Sequence, residues 1–131
     1  MRLHEPVNDS RRLWWCGPTA LSAVTGLPMS RFMPKRRGAM TPDEINRALL
    51  RAGLTAHIMF LDPPRMLWRA LTPNGRGIVW SRTHCWAFLG LLVLDTRRRT
   101  PTWVHDHPDA RSRVRGVIWV HEANHSTRRG M

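Results

Sequence analysis

Hydrophobic and polar positions split the chain into an early part with helical spacing and a later part made of short strand-like runs. In the segment from Cys16 to Gly26, Ala20, Leu21 and Val24 recur at helical spacing. Pro18 suits a first turn, where its missing N–H breaks no helical bond, and Gly26 is placed to end the helix in a left-handed turn. Residues 27–40 carry Pro28, Pro34 and Gly38 and read as loop. A second helix opens at Thr41-Pro42-Asp43-Glu44, a capping-box pattern with proline at the first helical position. Ile45, Ala48, Leu49 and Ala52 then repeat along one face, and Gly53 stops the pattern. Residues 54–61 predict a strand. Asp62-Pro63-Pro64 is expected to open a third short helix, with Met66, Leu67, Ala70 and Leu71 inward and Asn74-Gly75 closing it.

The character changes at Gly77. Residues 78–81, 85–89, 91–94, 102–105 and 117–120 are short runs of β-branched, aromatic and aliphatic residues, and Gly90 sits where a tight hairpin between two of them needs it. Helices first and strands later predict an α+β fold, N-terminal helices packed on a C-terminal antiparallel sheet. The 131 residues suffice for one core, so one domain over 1–125 is expected, followed by a flexible basic tail over 126–131.

Composition adds limits. No apolar run reaches the length that crosses a bilayer, and MRLHEPVNDS lacks the hydrophobic stretch of a signal peptide, so a cytoplasmic protein with no membrane partner is expected. The formal net charge is +12, and 20 of the 21 basic residues are arginine. Such a charge attracts polyanions. The Arg pairs at 11–12, 36–37 and 128–129 and the triple at 97–99 are scattered, however, and share no helical face. The expectation is non-specific attraction of nucleic acid or an acidic partner through an Arg-rich surface, not a dedicated reading head. Two cysteines, Cys16 and Cys85, without a secretion signal do not make a disulfide scaffold; one reactive and one structural thiol is the simpler reading.

The reactive one is expected to be Cys16. A nucleophilic cysteine has to be a thiolate at neutral pH, and both a helix N-terminus and a nearby imidazolium lower a thiol pKa. Cys16 stands where the first helix begins, Gly17 leaves room for a substrate carbonyl, and the Cys16 backbone N–H is placed to donate to an oxyanion. His84, at the start of the run CWAFLGLLVLD, is a base delivered by a strand end. If 85–89 and 91–94 pair as a hairpin, Asp95 returns beside His84 and can orient its ring. Each residue alone has an ordinary explanation: a buried Cys at a helix start, a strand-end surface His, an Asp that shapes a turn. Their agreement with one geometry is what carries weight. Cys85 follows His84, so strand alternation puts it on the opposite face, inert in the core.

Competing motifs are weaker. His121-Glu-Ala-Asn-His125 matches H-E-x-x-H, but a zinc site needs that motif on a helix with a third ligand beyond it, and here it follows a strand close to the end of the sequence. His105-Asp-His107 is a similar metal lure, better read as solvated loop histidines. No metal or other cofactor is expected. Most of the seven tryptophans (Trp68, Trp80, Trp86 and Trp119 among them) sit in apolar patterns and read as core; Trp14 and Trp15 adjoin Cys16, one expected to be buried and the other to wall a substrate groove.

Trp15-Cys16-Gly17-Pro18-Thr19-Ala20-Leu21, a strand opening at His84, and Asp95 after a hairpin resemble papain-like cysteine peptidases, in particular the bacteriocin-processing, double-glycine branch and its short phage-encoded relatives. The segment HPDARSRVRGVIWV is similar to the basic segment and final strand of those phage versions, and the resemblance spans roughly residues 8–120. It implies a papain-like fold, a thiol hydrolase with Cys16 as nucleophile, His84 as base and Asp95 as orienting acid, and a peptide or isopeptide substrate cleaved through an acyl-enzyme. It also implies a phage or prophage source, with action in the host cytoplasm or in a virion. The family places a glutamine six residues before the cysteine as an oxyanion donor, where this chain has Ser10; Ser10 itself, or Asn8 if the loop bulges, is the expected replacement. Because a missing donor costs about 10²–10³ in rate, the alternative is a catalytically weak papain-like fold that binds a host or virion partner, or nucleic acid, through its basic surface.

Overall fold

A computed structural model describes residues 2–9, 15–33 and 39–122. The order of elements is α1 (Cys16–Thr25), α2 (Pro42–Arg51), β1 (Leu54–Met66), α3 (Leu67–Ala70), β2 (Arg76–Trp80), β3 (Cys85–Leu89), β4 (Leu92–Leu94), β5 (Thr102–Trp103) and β6 (Arg113–Glu122). The strands form one antiparallel sheet ordered β1-β6-β2-β3-β4-β5. The α+β expectation holds, except that the longest strand, β1, precedes α3 and β2 and pairs with the last.

Alternation in the two central strands explains why both read as unbroken apolar runs. Ile78, Trp80, Cys85 and Ala87 pack with α1 and α2, through Leu21, Val24, Ile45 and Leu49. Val79, Trp86 and Phe88 enter a second cluster with Leu67, Leu71, Val93, Val104 and Val117 on the other face. A strand covered on both faces needs no polar side. Edge strand β1 has one covered face, and its burial alternates over most of its length.

α1 is buried from Gly17 to Val24, so it is enclosed on all sides and is not a surface helix. It ends at Gly26, whose φ of 78° is the left-handed cap expected there. The buried Arg76 places its Nη2 2.9 Å from the Val24 carbonyl, a cation at the negative end of that helix. α2 carries the capping box: the Glu44 N–H donates to Thr41 Oγ1 (3.2 Å) and the Thr41 N–H to Glu44 Oε1 (2.9 Å).

Three local expectations change. The stretch after residue 61 is not a helix opening: β1 continues to Met66 with a break in register between Phe60 and Arg65. Pro63 and Pro64 have no N–H to give to the ladder, so pairing with β6 lapses across them and resumes at Arg65. The third helix shrinks to Leu67–Ala70, with Leu67, Ala70 and Leu71 inward as expected and Met66 half-buried. The run 102–105 is two residues of strand followed by a 3₁₀ turn, Val104–Asp106. Within 27–40, Met29–Phe32 also makes a 3₁₀ turn, and residues 34–38 lie outside the described residues, as does the expected tail 126–131.

Candidate active site

Three elements bring Cys16, His84 and Asp95 together, the first two on a cleft and Asp95 buried behind His84. Cys16 is the first residue of α1, so its sulfur sits at the positive end of the enclosed helix. His84 closes the β2–β3 turn. Ser81 staples that turn: its N–H donates to the His84 carbonyl (2.8 Å), and its Oγ accepts the His84 N–H (3.1 Å). Asp95 follows β4, which hairpins with β3 through Gly90 at φ 59°. Across that hairpin, His84 Nε2 and Asp95 Oδ2 are 2.6 Å apart. Trp15, Cys16, Gly17, Pro18, Ala39, Met40, His84 and Thr96 line a cleft of about 440 Å³.

The electrostatics of the pair differ from those of isolated side chains. The Cys16 thiol is brought down to about 4, first by a hydrogen bond from the Cys85 side chain, then, against the opposing effect of burial, by the hydrogen bond and positive charge of His84. Burial alone pushes His84 down, but the hydrogen bond to Asp95 and the bond and charge of Cys16 outweigh it and raise the ring to about 9. Asp95, fully buried, is nonetheless held far below the usual carboxylate range, because the hydrogen bonds of His107, His84 and the Arg98 backbone outweigh desolvation. Both shifts favour a thiolate beside an imidazolium at neutral pH.

The Asp95 carboxylate is held at both oxygens. Oδ2 faces His84, while Oδ1 accepts the backbone N–H groups of Arg97 (3.1 Å) and Arg98 (2.9 Å) and meets His107 Nε2 at 3.0 Å. Asp95 is thus both the turn residue that its Asp-Thr context suggests and the partner of His84. Asp109 forms a further layer, accepting Trp86 Nε1–H (3.1 Å) and Arg97 Nη1–H (2.8 Å). His84, Asp95 and Asp109 bring ligand-type atoms within 4.8 Å of one another. Their carboxylate oxygens already accept from His84, His107, Trp86, Arg97 and Arg98, so a cation would have to break that network to enter.

Two sequence expectations about this region change. His107 is not a solvated loop histidine: its side chain is fully buried against Asp95, while His105 beside it is exposed. Cys85 is buried in the core as expected, but it is not isolated from the site. His84 belongs to the turn and the strand starts at Cys85, so strict alternation does not separate them, and Cys85 reaches the Cys16 sulfur. That contact and burial push the Cys85 thiol well above its usual value, which keeps it protonated. Trp15 and Gly17 are among the residues that line the cleft, and Asn8 is not among them; Ser10 and Trp14 lie outside the described residues. His121 stands exposed on β6, stacked on His57 at 5.6 Å, which is not the helical setting H-E-x-x-H needs, and His125 lies outside the described residues.

α1, with Cys16 as its first residue, packs on an antiparallel sheet whose β2–β3 turn and β4 end carry His84 and Asp95. Among solved structures, a double glycine motif protease from an AMS/PCAT transporter, crystallised in complex with the leader peptide, has this fold: TM-score 0.58 and 14 % identity, over 92 % of this chain and 94 % of that one. No protein-family model and no curated protein matches the sequence.

Proposed function

We propose that the chain is a cysteine peptidase that cleaves a peptide or isopeptide bond through an acyl-enzyme. The observation that carries this reading is the continuous line from the Cys16 sulfur to His84 to the Asp95 carboxylate, opening on a cleft at a helix N-terminus. The Cys16 thiolate attacks the carbonyl carbon, and the oxygen takes up the negative charge. The backbone N–H of Cys16, at the mouth of α1, is the donor available to that oxyanion. His84, protonated at rest, gives its proton to the leaving amine as the tetrahedral species collapses to a thioester. It then takes a proton from water, which attacks the thioester and frees Cys16. Asp95 holds the ring through Nε2, which leaves the other ring nitrogen for sulfur and substrate.

Substrate class follows from what adjoins the cleft. Met40 belongs both to the cleft and to a larger groove of about 690 Å³, lined by Leu27, Phe32 and Met33, by Arg31, Arg47 and Arg51, and by Glu44, whose carboxylate caps α2. A peptide with apolar side chains for the apolar lining and acidic ones for the arginines suits that surface. A phage or prophage source, with work in the host cytoplasm or in the virion, belongs to the same reading and has only the sequence resemblance behind it.

The test is a peptidyl epoxide, whose ring the Cys16 thiolate opens to a stable thioether, followed by mass spectrometry of the adduct. Wild type is expected to carry one adduct, on Cys16, and Cys16→Ala none. Equal modification of both proteins rules the hydrolase out and leaves the basic binding protein as the reading of the fold.

A further inference from the structure

We propose that His107 is a positioning residue for this site: it clamps Oδ1 of the Asp95 carboxylate and so keeps Oδ2 turned to His84. The inference rests on the hydrolase reading above and sets its His84–Asp95 pair in a closed ring of five residues with His107, Asp109 and Trp86.

His107 is buried with no exposed side-chain surface, and an imidazole in that position is costly unless both nitrogens are paired. Both are. The backbone N–H of Asp109 donates to Nδ1 at 3.0 Å, closer than the Asp109 carboxylate oxygen Oδ2 at 3.7 Å, and this assigns Nδ1 as the acceptor. The ring proton therefore sits on Nε2, which faces Asp95 Oδ1 at 3.0 Å. The tautomer is set by the chain itself, two residues on.

The donors are distributed unevenly over the carboxylate. Oδ1 receives three, from Arg97 N, Arg98 N and His107 Nε2; Oδ2 faces His84. The two backbone donors come from the turn that contains Asp95, and His107 comes from a separate loop after β5. Among the Oδ1 bonds, that of His107 is the one from outside the Asp95 turn, as that of His84 is at Oδ2. The network then closes. Asp109, whose N–H fixes the His107 tautomer, accepts Trp86 Nε1–H, and the Trp86 and His84 rings meet in a T-shaped contact with centroids 4.7 Å apart. His84 is therefore held at its nitrogen by Asp95 and at its ring by Trp86, and both holders lead back to the 107–109 segment. Among the described residues, the charged and titratable groups facing this assembly include Cys16 and Cys85 from α1 and β3, the Asp109 carboxylate 3.7 Å from His107 Nδ1, and the Arg97 guanidinium, which pairs with Asp109 at 2.8 Å.

A freed carboxylate spends less time on His84, and an imidazolium that loses its anionic partner gives up its proton more readily. The readout is the rate of Cys16 alkylation by iodoacetamide as a function of pH. In His107→Phe, which fills the space without a donor, the alkaline limb is expected to fall by about one pH unit. His107→Gln, which can present an N–H near the position of Nε2, is expected to restore most of it. Asp95→Asn and His84→Ala are run alongside. If neither changes the profile, the hydrolase reading itself fails. If Asp95→Asn moves the limb and His107→Phe leaves it in place, the hydrolase reading stands and His107 is overturned as a positioning residue. Should His107→Phe not fold, the wild-type ring decides: long-range ¹H–¹⁵N correlation is expected to show the proton on Nε2, and a ring protonated on Nδ1 overturns the proposal.

Discussion

The chemistry of Cys16 is set by neighbours on both sides of it. Cys85 supplies the largest lowering influence on its pKa and His84 the next, so the two can be separated. Cys85→Ala removes the thiol donor and leaves His84 in place. The acid limb of Cys16 alkylation is expected to move up by about one pH unit while the alkaline limb stays where it is; an unmoved acid limb would show that Cys85 only fills space. Asp95→Ala is harsher. It strips His84, His107 and two backbone N–H groups of their acceptor in a buried place, at about 1–3 kcal/mol for each group left unsatisfied. Loss of labelling together with a clear fall in Tm is the expected outcome, measured by thermal unfolding. Cys16, His84 and Asp95 were legible because each is placed by something local: a helix mouth, a strand end, and a hairpin whose length returns Asp95 to His84. His107 and the Cys85 contact were not legible. The first depends on where the loop after β5 folds back, and the second on His84 lying in the turn and not in the strand.

At the scale of elements, the position of the base depends on how β2 and β3 stack between the helices and β6. Gly77 is the tightest point of that stack, since a Cβ there would lie 1.9 Å from the Ile118 carbonyl oxygen of β6. Backbone cannot step aside as a flexible side chain does. Gly77→Ala is therefore expected to cost about 1–3 kcal/mol and roughly 5–15 °C in Tm, read by calorimetry. At Gly17, in contrast, a Cβ would meet the Met40 side chain, with Sδ at 3.0 Å. Gly17→Ala is expected to fold with little change in Tm and to narrow the cleft enough to slow labelling of Cys16. The elements with a clear period or cap were readable in advance: α1 with Gly26, α2 with its capping box, β3 with Gly90. β1 was cut short at residue 61 because two prolines read as the start of a helix. In the sheet they fall where pairing can lapse and resume, which only the partner strand determines.

The whole molecule carries a formal charge of +12, with its arginines spread along the chain. Attraction of polyanions is expected at low salt, without sequence preference and with a steep fall as salt rises, as counterion release requires. Fluorescence anisotropy with unrelated oligonucleotides measures it; sequence preference that survives physiological salt would make nucleic acid a dedicated partner. The same charge sets the background on which a peptidase of this fold would meet an acidic substrate. The Cys16–His84 ion pair has a pH window of its own. Below about 4 the Cys16 thiolate takes up a proton, and above about 9 His84 loses one, so the pair exists only between. The direct measurement is the rate of Cys16 alkylation across that range in wild type and His84→Ala. The account predicts a plateau between the two limbs in wild type that disappears in His84→Ala; a single rise toward alkaline pH in both proteins, as for an ordinary thiol, would contradict it.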